Sequence, residues 1–371
     1  MQENGTSMNY RRLYNYLVRQ YGRLSAGLMP GGRSPLPLLA NCIVTYDCNL
    51  ACPFCFAGAD WDQQTVKPLD IDQWRAIFRQ IPAVTTINLS GGEVLCHPRF
   101  FDLLREASAG HRTVLVTNGT MLDESIVSEL VACGVERPGG KGLMQIGVSV
   151  NEPLADAEHA QKILVKKIAL LTMIDREQKR QNKRGLHLDL KILIREDTAA
   201  HLPLFAEALR SDIPDTITFQ MMFLFNFACF MNIDPINETQ IVQYRDYRFQ
   251  PARRLNFSKM DELRVSLASL QTLPPQQRRR ICFLPDLPTN DYLQHYADQD
   301  HVADYHCYSP WTQIMINPQG VAYQCLNPQG VDLKTTSFSS AWNSVGFREF
   351  RRELVAGRPF PICSGCCFLS R

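Results

Sequence analysis

No run of eighteen or more uncharged apolar residues occurs in the 371-residue chain, so no stretch reads as a membrane-spanning helix. Neither sign of charge dominates: 39 Lys and Arg stand against 37 Asp and Glu, a net of +2. A broad nucleic-acid footprint needs a strong basic excess, and none is present. The opening residues MQENGTSMNY lack the charged-then-apolar leader that directs export. Internal repeats and low-complexity tracts are also missing. The expected setting is a reducing cytoplasm, with neither membrane nor nucleic acid as a partner.

Cysteine, by contrast, is plentiful at thirteen residues, and its spacing carries chemistry. Cys48, Cys52 and Cys55 fall within eight residues, CNLACPFC, at the end of the apolar run from Asn41 to Tyr46. A 4Fe-4S cluster normally takes four thiolates, so three on one tight loop leave one iron open to bind something else. The alternatives are zinc, whose sites usually carry four ligands in Cys-x2-Cys pairs or with histidine, and unligated thiols. A secreted disulfide scaffold would be shorter and denser in cysteine.

The length suits one large domain with one or two smaller ones. From residue 40 to about 225, short β-branched runs alternate with stretches of helical period, the pattern of repeated βα units with a parallel sheet. Strands are expected at Asn41 to Tyr46, Thr85 to Leu89, Thr113 to Thr117, Met144 to Val150, Leu188 to Ile194 and Ile217 to Phe223. Asp70 can cap a helix with Gln73 three residues on, while Ile71, Trp74, Ile77 and Phe78 share one face. Similar stripes occur at Ile126, Val127 and Leu130, ended by Gly134, and at Ile163, Lys167, Leu170, Leu171 and Ile174; both read as core. Periodicity alone does not choose between an open sheet and a partly closed barrel. In either case, functional groups gather at the carboxyl ends of parallel strands.

Cys-x3-Cys-x2-Cys, with Phe54 just before its last cysteine, resembles the signature of the radical SAM enzymes. Ser90-Gly91-Gly92-Glu93, one βα unit downstream, is similar to that family's GGE motif, and Thr117-Asn118-Gly119 to its TNG turn. The resemblance implies an α/β fold, a partial (β/α)6 barrel, in which the open iron chelates the amine and carboxylate of S-adenosylmethionine (SAM). By the same resemblance, Gly91, Gly92 and Glu93 hold the SAM amine, and the polar strand-end residues Ser149 and Asn151 hydrogen-bond its ribose. Lys191 and Arg195 are candidates to meet the methionyl carboxylate, since a buried cation offsets its desolvation through such pairing. Either reads equally as a solvated strand-end charge. The family chemistry is reductive cleavage of SAM to a 5′-deoxyadenosyl radical that takes hydrogen from a substrate, with an electron donor such as flavodoxin or ferredoxin. The protein then supplies orientation and exclusion of solvent.

A second cysteine group closes the chain: Cys307, Cys325, Cys363 and Cys366, with Cys367 adjacent. Gln313 to Gln324 reads as a hairpin around Asn317-Pro318-Gln319-Gly320, which would bring Cys307 and Cys325 near one another. This spacing, with Ser340-Ala341-Trp342-Asn343-Ser344 and Arg348, resembles the auxiliary-cluster region called SPASM or twitch. Full SPASM continues with further cysteines, whereas this sequence stops at Arg371, so the resemblance implies the twitch form with one auxiliary 4Fe-4S cluster. Cys366 is the favoured fourth ligand and Cys367 its competitor. Zinc is the alternative for four thiolates.

The expected organisation is an N-terminal helical extension (1–39), a radical SAM barrel (40–225), a connecting and substrate-shaping segment (226–304) and a twitch-like region (305–371). The connecting segment holds an Arg- and Tyr-containing stretch, Tyr244 to Arg254, a helix from Met260 to Leu270 and a second polar helix after Pro274-Pro275. Cys42, Cys96, Cys133, Cys229 and Cys282 read as small buried hydrophobes. Two basic clusters, Lys179, Arg180, Lys183 and Arg184, then Arg278, Arg279 and Arg280, read as solvated faces or as a dock for an acidic partner. The substrate class implied is a ribosomally made precursor peptide, delivered directly or by a separate recognition protein. The alternative is a small molecule, such as an aminosugar undergoing dehydrogenation, for which no catalytic base is assignable.

Overall fold

Strand β1 (Leu39–Thr45) buries Ala40, Cys42 and Val44 on one face, and that alternation sets the plan of the whole sheet. The computed structural model describes residues 10–55, 67–136, 139–183, 185–222, 257–298, 305–325, 330–356, 363, 366 and 369. Beside β1 lie β2 (Thr86–Gly91), β3 (Arg112–Thr117), β4 (Gly142–Val150), β5 (His187–Ile194) and β6 (Thr216–Met221). Each pairs in parallel with the next. These six strands match the expected ones to within a residue or two at each end, apart from Phe223, which lies outside the described residues.

One strand beyond those expected joins the sheet, and the first strand of the expected hairpin gains a parallel partner. β7 (Ile281–Leu284) extends the sheet beyond β6, and β8 (Gln313–Ile316) pairs in parallel with the free side of β1. β9 (Val321–Tyr323) and β10 (Val331–Asp332) then continue it in antiparallel fashion. Among the described residues the order is β10-β9-β8-β1-β2-β3-β4-β5-β6-β7, one ten-stranded sheet whose end strands β10 and β7 do not pair with each other. Four-residue β7 is too short for a periodic signal to separate it from a loop. The expected hairpin is present at β8–β9: Asn317 Oδ1 accepts from the Gln319 and Val321 N–H groups, and Gly320 takes φ +81°.

Helices α1 (Tyr10–Leu28), α2 (Ile71–Gln80), α3 (Phe100–Gly110), α4 (Glu124–Ala132) and α5 (Ala157–Arg180) alternate with the strands. α2 begins with the expected capping box between Asp70 and Gln73. Its Trp74 and Phe78 rings stack at 5.5 Å and bury against the sheet. Each such fully buried apolar side chain contributes ~1.5–3 kcal/mol.

The opposite face of the sheet is polar. Asn88 donates to Asn41, which donates to Gln313, tying β2, β1 and β8 side by side. On β5 and β6, Thr216 and Thr218 donate to fully buried Asp189.

The connecting segment supplies β7 and a helix over Met260–Thr272, slightly longer than expected; the polar stretch after Pro274 forms one short helical turn at Pro275–Arg278. Of the basic clusters, Lys179 and Arg180 are exposed and paired with Asp175 and Glu177 on their own helix. Arg280 has a different role: its guanidinium donates to the carbonyls of Leu209, Ser211, Asp212, Pro214 and Asp215. It clamps a loop and is not available as a dock. Cys42 and Cys282 are buried as expected, while Cys96 and Cys133 are partly exposed. Arg184, Cys229 and Tyr244 to Arg254 lie outside the described residues.

Candidate active site

The cysteine loop leaves the carboxyl end of β1, and its base is locked to the turn after β2. Gly92 N–H donates to Thr45 O at 3.0 Å and Glu93 N–H to Asp47 O at 2.8 Å. A Cβ on Gly91 would lie 2.2 Å from Thr45 O, and one on Gly92 2.3 Å from Asp47 O. The glycine pair is therefore required by the approach of the chain's own backbone, and the room beside it is filled by the base of the cysteine loop. Ser90 reaches the same strand, its hydroxyl facing Cys42 O at 3.5 Å.

Glu93 is 2 % exposed. One carboxylate oxygen accepts from Thr117 Oγ1 at 2.8 Å and from the Leu95 N–H, the other from the Asn118 N–H at 2.7 Å. Burial raises its pKa, and these hydrogen bonds, with the charge of Lys167, work against the rise. Its carboxylate fastens the turn after β3 to the turn after β2. Asn118 continues the network, donating through Nδ2 to Asn49 in the cysteine loop at 2.9 Å. Ser149 and Asn151 stand together at the end of β4, Asn151 Nδ2 donating to Ser149 Oγ at 2.8 Å.

Each of the two cations expected to meet the methionyl carboxylate has a carboxylate partner within the chain. Lys191 turns away from the strand end, crosses over Gly147 and pairs with Asp189 at 3.0 Å. Arg195, 4 % exposed, pairs with both oxygens of Asp197 at 2.8 and 2.9 Å and donates to Val150 O and Glu152 O. Its guanidinium lies over the Phe54 ring, 4.3 Å from the centroid.

Cys48 and Cys55 are exposed and Cys52 is partly so. Cys55 N–H donates to Cys52 O at 3.0 Å, closing the loop's last turn. Burial raises the pKa of Cys48 and Cys52, and the charge of Cys55 acts on both, so the three thiols lie within electrostatic reach of one another. Arg195 opposes the rise at Cys52 and Glu152 adds to it. Among the described residues no three His, Cys, Asp or Glu side chains converge to ligand spacing. The donor set still suits iron: three soft thiols on one loop, with no histidine or carboxylate contributed by the loop itself between Cys48 and Cys55.

At the other end, burial pushes the Cys307 thiol up to about 12, and the charge of Cys366 adds to the rise. Cys363 and Cys366 are buried, and Cys366 N–H donates to Cys363 O at 3.0 Å. Cys325 has φ +48° at the end of the β8–β9 hairpin. Cys367 lies outside the described residues. Trp342 Nε1 and Asn343 Nδ2 both donate to Ser34 O, so the Ser340–Ser344 segment docks this region on the stretch before β1.

An open parallel α/β sheet with thiols on the first strand-end loop, and further thiols packed beyond its β8 edge, defines an iron–sulfur enzyme built on a βα barrel. Residues 42–164 match the profile of the radical SAM superfamily, and residues 307–367 that of the SPASM iron–sulfur cluster-binding domain. The chain's cofactors are accordingly a SAM-binding 4Fe-4S cluster, SAM and auxiliary iron–sulfur. The chain is 36% identical over 104 residues to an AdoMet-dependent heme synthase of Methanosarcina barkeri, covering 27% of this chain and 30% of that one. It is 29% identical over 103 residues to a PqqA peptide cyclase of Bradyrhizobium diazoefficiens, 27% of each. These matches span less than a third of the length of the curated relatives. The fold is similar to Streptococcus suis SuiB bound to S-adenosylmethionine, with TM-score 0.57 and 15% identity over 94% of this chain and 74% of that one. It is also similar to anSMEcpe with bound AdoMet and the Cp18Cys peptide, with TM-score 0.51 and 13% identity over 85% and 82%. No helix among the described residues is long and apolar enough to cross a membrane.

One residue absent from the expected site stands out. Lys167 on α5, which sequence period places in a core stripe, is 1 % exposed and reaches Asn118 O at 2.7 Å and Glu152 Oε1 at 2.8 Å. Its signal in the sequence was the charge itself, a lysine within an otherwise apolar face.

Proposed function

We propose that this chain modifies a ribosomally made precursor peptide by SAM-dependent radical chemistry. Cys48, Cys52 and Cys55 hold the SAM-binding cluster, and Cys307, Cys325, Cys363 and Cys366 the single auxiliary one. When bound, the first cluster and its chelated SAM supply a 5′-deoxyadenosyl radical that takes a hydrogen atom from the substrate. The chain's own residues orient that chemistry. The turn at Ser90–Glu93 would hold the SAM amine and Ser149 and Asn151 its ribose, while Asn118 ties Glu93 to Asn49 of the cysteine loop and Arg195 covers that loop's Phe54.

The observation that carries the peptide reading is the fold likeness over 94% of the chain to SuiB, a protein also seen bound to its precursor peptide SuiA. The peptide cyclase match agrees with it. A small-molecule oxidation is the second reading, favoured by the 36% identity to the heme synthase. Electrons come from a flavodoxin- or ferredoxin-type donor. Anaerobic reconstitution followed by assay for reductant-dependent 5′-deoxyadenosine, with Cys52→Ala as control, tests the radical chemistry. Mass spectrometry of candidate peptides then separates the readings: a mass change on a peptide supports the first, and loss of two hydrogens from a small molecule the second. Zinc in place of iron at the cysteine loop overturns both.

A further inference from the structure

We propose that Lys167 is a positioning residue for the SAM-binding cluster, tying the β3 turn to the end of β4 and neutralising Glu152 so that no uncompensated carboxylate faces Cys52. The inference rests on the assignment of Cys48, Cys52 and Cys55 to that cluster.

Lys167 sits in the middle of α5 among Ile163, Leu164, Leu171 and Ile174, all buried. A lysine there is costly unless its ammonium is fully engaged. Two groups engage it, the Asn118 carbonyl at the end of β3 and the Glu152 carboxylate just past β4. Asn118 is in turn held through its N–H by Glu93 and through its side chain to Asn49 of the cysteine loop. One ammonium therefore braces two strand ends and, through Asn118, the loop that carries the thiols.

Its second effect is electrostatic. Glu152 is 22% exposed, and its backbone carbonyl is gripped by Arg195, whose guanidinium lies over Phe54 between Cys52 and Cys55. Arg195 is already matched by Asp197. With Lys167 in place the Glu152 charge is matched as well; without it, one negative charge stands beside the cluster loop. Net charge is among the main determinants of iron–sulfur reduction potential, and an added negative charge makes reduction harder. Lysine is suited to this task because its compact ammonium can donate to two oxygens lying in different directions.

The test is a redox titration of the reconstituted full chain at pH 8.5, followed by electron paramagnetic resonance. Lys167→Met is expected to lower the potential enough that the reduced fraction at a fixed poise falls about tenfold, which is ~59 mV for a one-electron couple. Lys167→Met combined with Glu152→Gln is expected to recover the parent potential, and Lys167→Arg to hold it. Glu152→Gln alone, which leaves the lysine in place, is expected to raise it. The auxiliary-cluster signal serves as an internal reference that does not move. A Lys167→Met potential equal to the parent's, or a drop that Glu152→Gln does not reverse, overturns the inference. Should Lys167→Met fail to fold, an unmoved potential in Glu152→Gln overturns it equally. A parent chain with no iron–sulfur signal at the cysteine loop overturns instead the cluster assignment on which it stands.

Discussion

Arg195 covers the ring of Phe54 at 4.3 Å while both oxygens of Asp197 hold the guanidinium from behind. A strand-end cation and a cysteine-loop aromatic thus form one unit, and the loop's last turn is steadied by β5, four strands away from its origin on β1 in the sheet order.

Arg195→Ala is expected to destabilise the chain by about 3 kcal/mol, because Asp197 loses its partner and two carbonyls lose their donor. Iron content per chain after reconstitution should fall with it, as Phe54 loses a contact worth ~0.5–2 kcal/mol. Arg195→Lys should recover part of the stability and little of the iron retention. Iron retention equal to the parent's in Arg195→Ala would show that the loop does not depend on β5.

Gly92→Ala places a methyl 2.3 Å from the Asp47 carbonyl oxygen, a backbone atom that cannot swing aside. Overpacking of this kind costs ~1–3 kcal/mol. Urea unfolding of the apoprotein should show the midpoint lowered at unchanged slope, and SAM should no longer alter the spectrum of the reconstituted protein.

Glu152 gives a pH signature. Burial works to raise its pKa, but the hydrogen bond and charge of Lys167 outweigh that, and the net value lies below the ordinary 4.5. A carboxyl held low in the folded state contributes stability above its unfolded pKa and loses it as pH falls through the folded value. Apoprotein carrying Glu152→Gln should therefore be less stable than the parent at neutral pH, with the difference shrinking below about pH 4.5. A gap that is constant from pH 7 to pH 3 would contradict this sign.

Arg351 is fully buried over the Trp342 ring, with its pKa lowered to about 9 by burial. It donates to Pro310 O, Gly32 O, Asn343 Oδ1 and Trp342 O, joining three distant parts of the chain. Lysine cannot reproduce a planar fork with four acceptors. Arg351→Lys should cost about 2–4 kcal/mol at ~1 kcal/mol or more per lost hydrogen bond, read as a lower thermal midpoint with the N-terminal stretch around Gly32 more accessible to protease.

The six βα strands were legible because β-branched runs alternate with stretches of helical period, as at α2, α4 and α5, and the Asp70–Gln73 cap was legible because capping is local. The thiols were legible for the same reason, since three on one loop need no tertiary information. What the sequence did not show is what depends on distant partners. β8 reads as half a hairpin, yet its other edge belongs to β1, 272 positions away at the Asn41–Gln313 contact. Lys191 and Arg195 read alike on one strand, but Asp189 and Asp197 turn them in different directions. Lys167 was hidden by its own stripe, because period reports which face a residue occupies and not what its terminal atom meets.

The pairing of β8 with β1 has a practical outcome for anyone dividing the chain. A fragment ending before residue 305 would leave β1 with a bare row of N–H and C=O groups along the side that Gln313–Ile316 now occupies. Exposed edges of that kind recruit other chains, so the isolated barrel half should self-associate. Conversely, the stretch that follows Cys307 brings only the short ribbon β8–β9–β10, whose remaining edge is completed by β1, and the two iron–sulfur halves are better regarded as a single folding unit sewn along one seam.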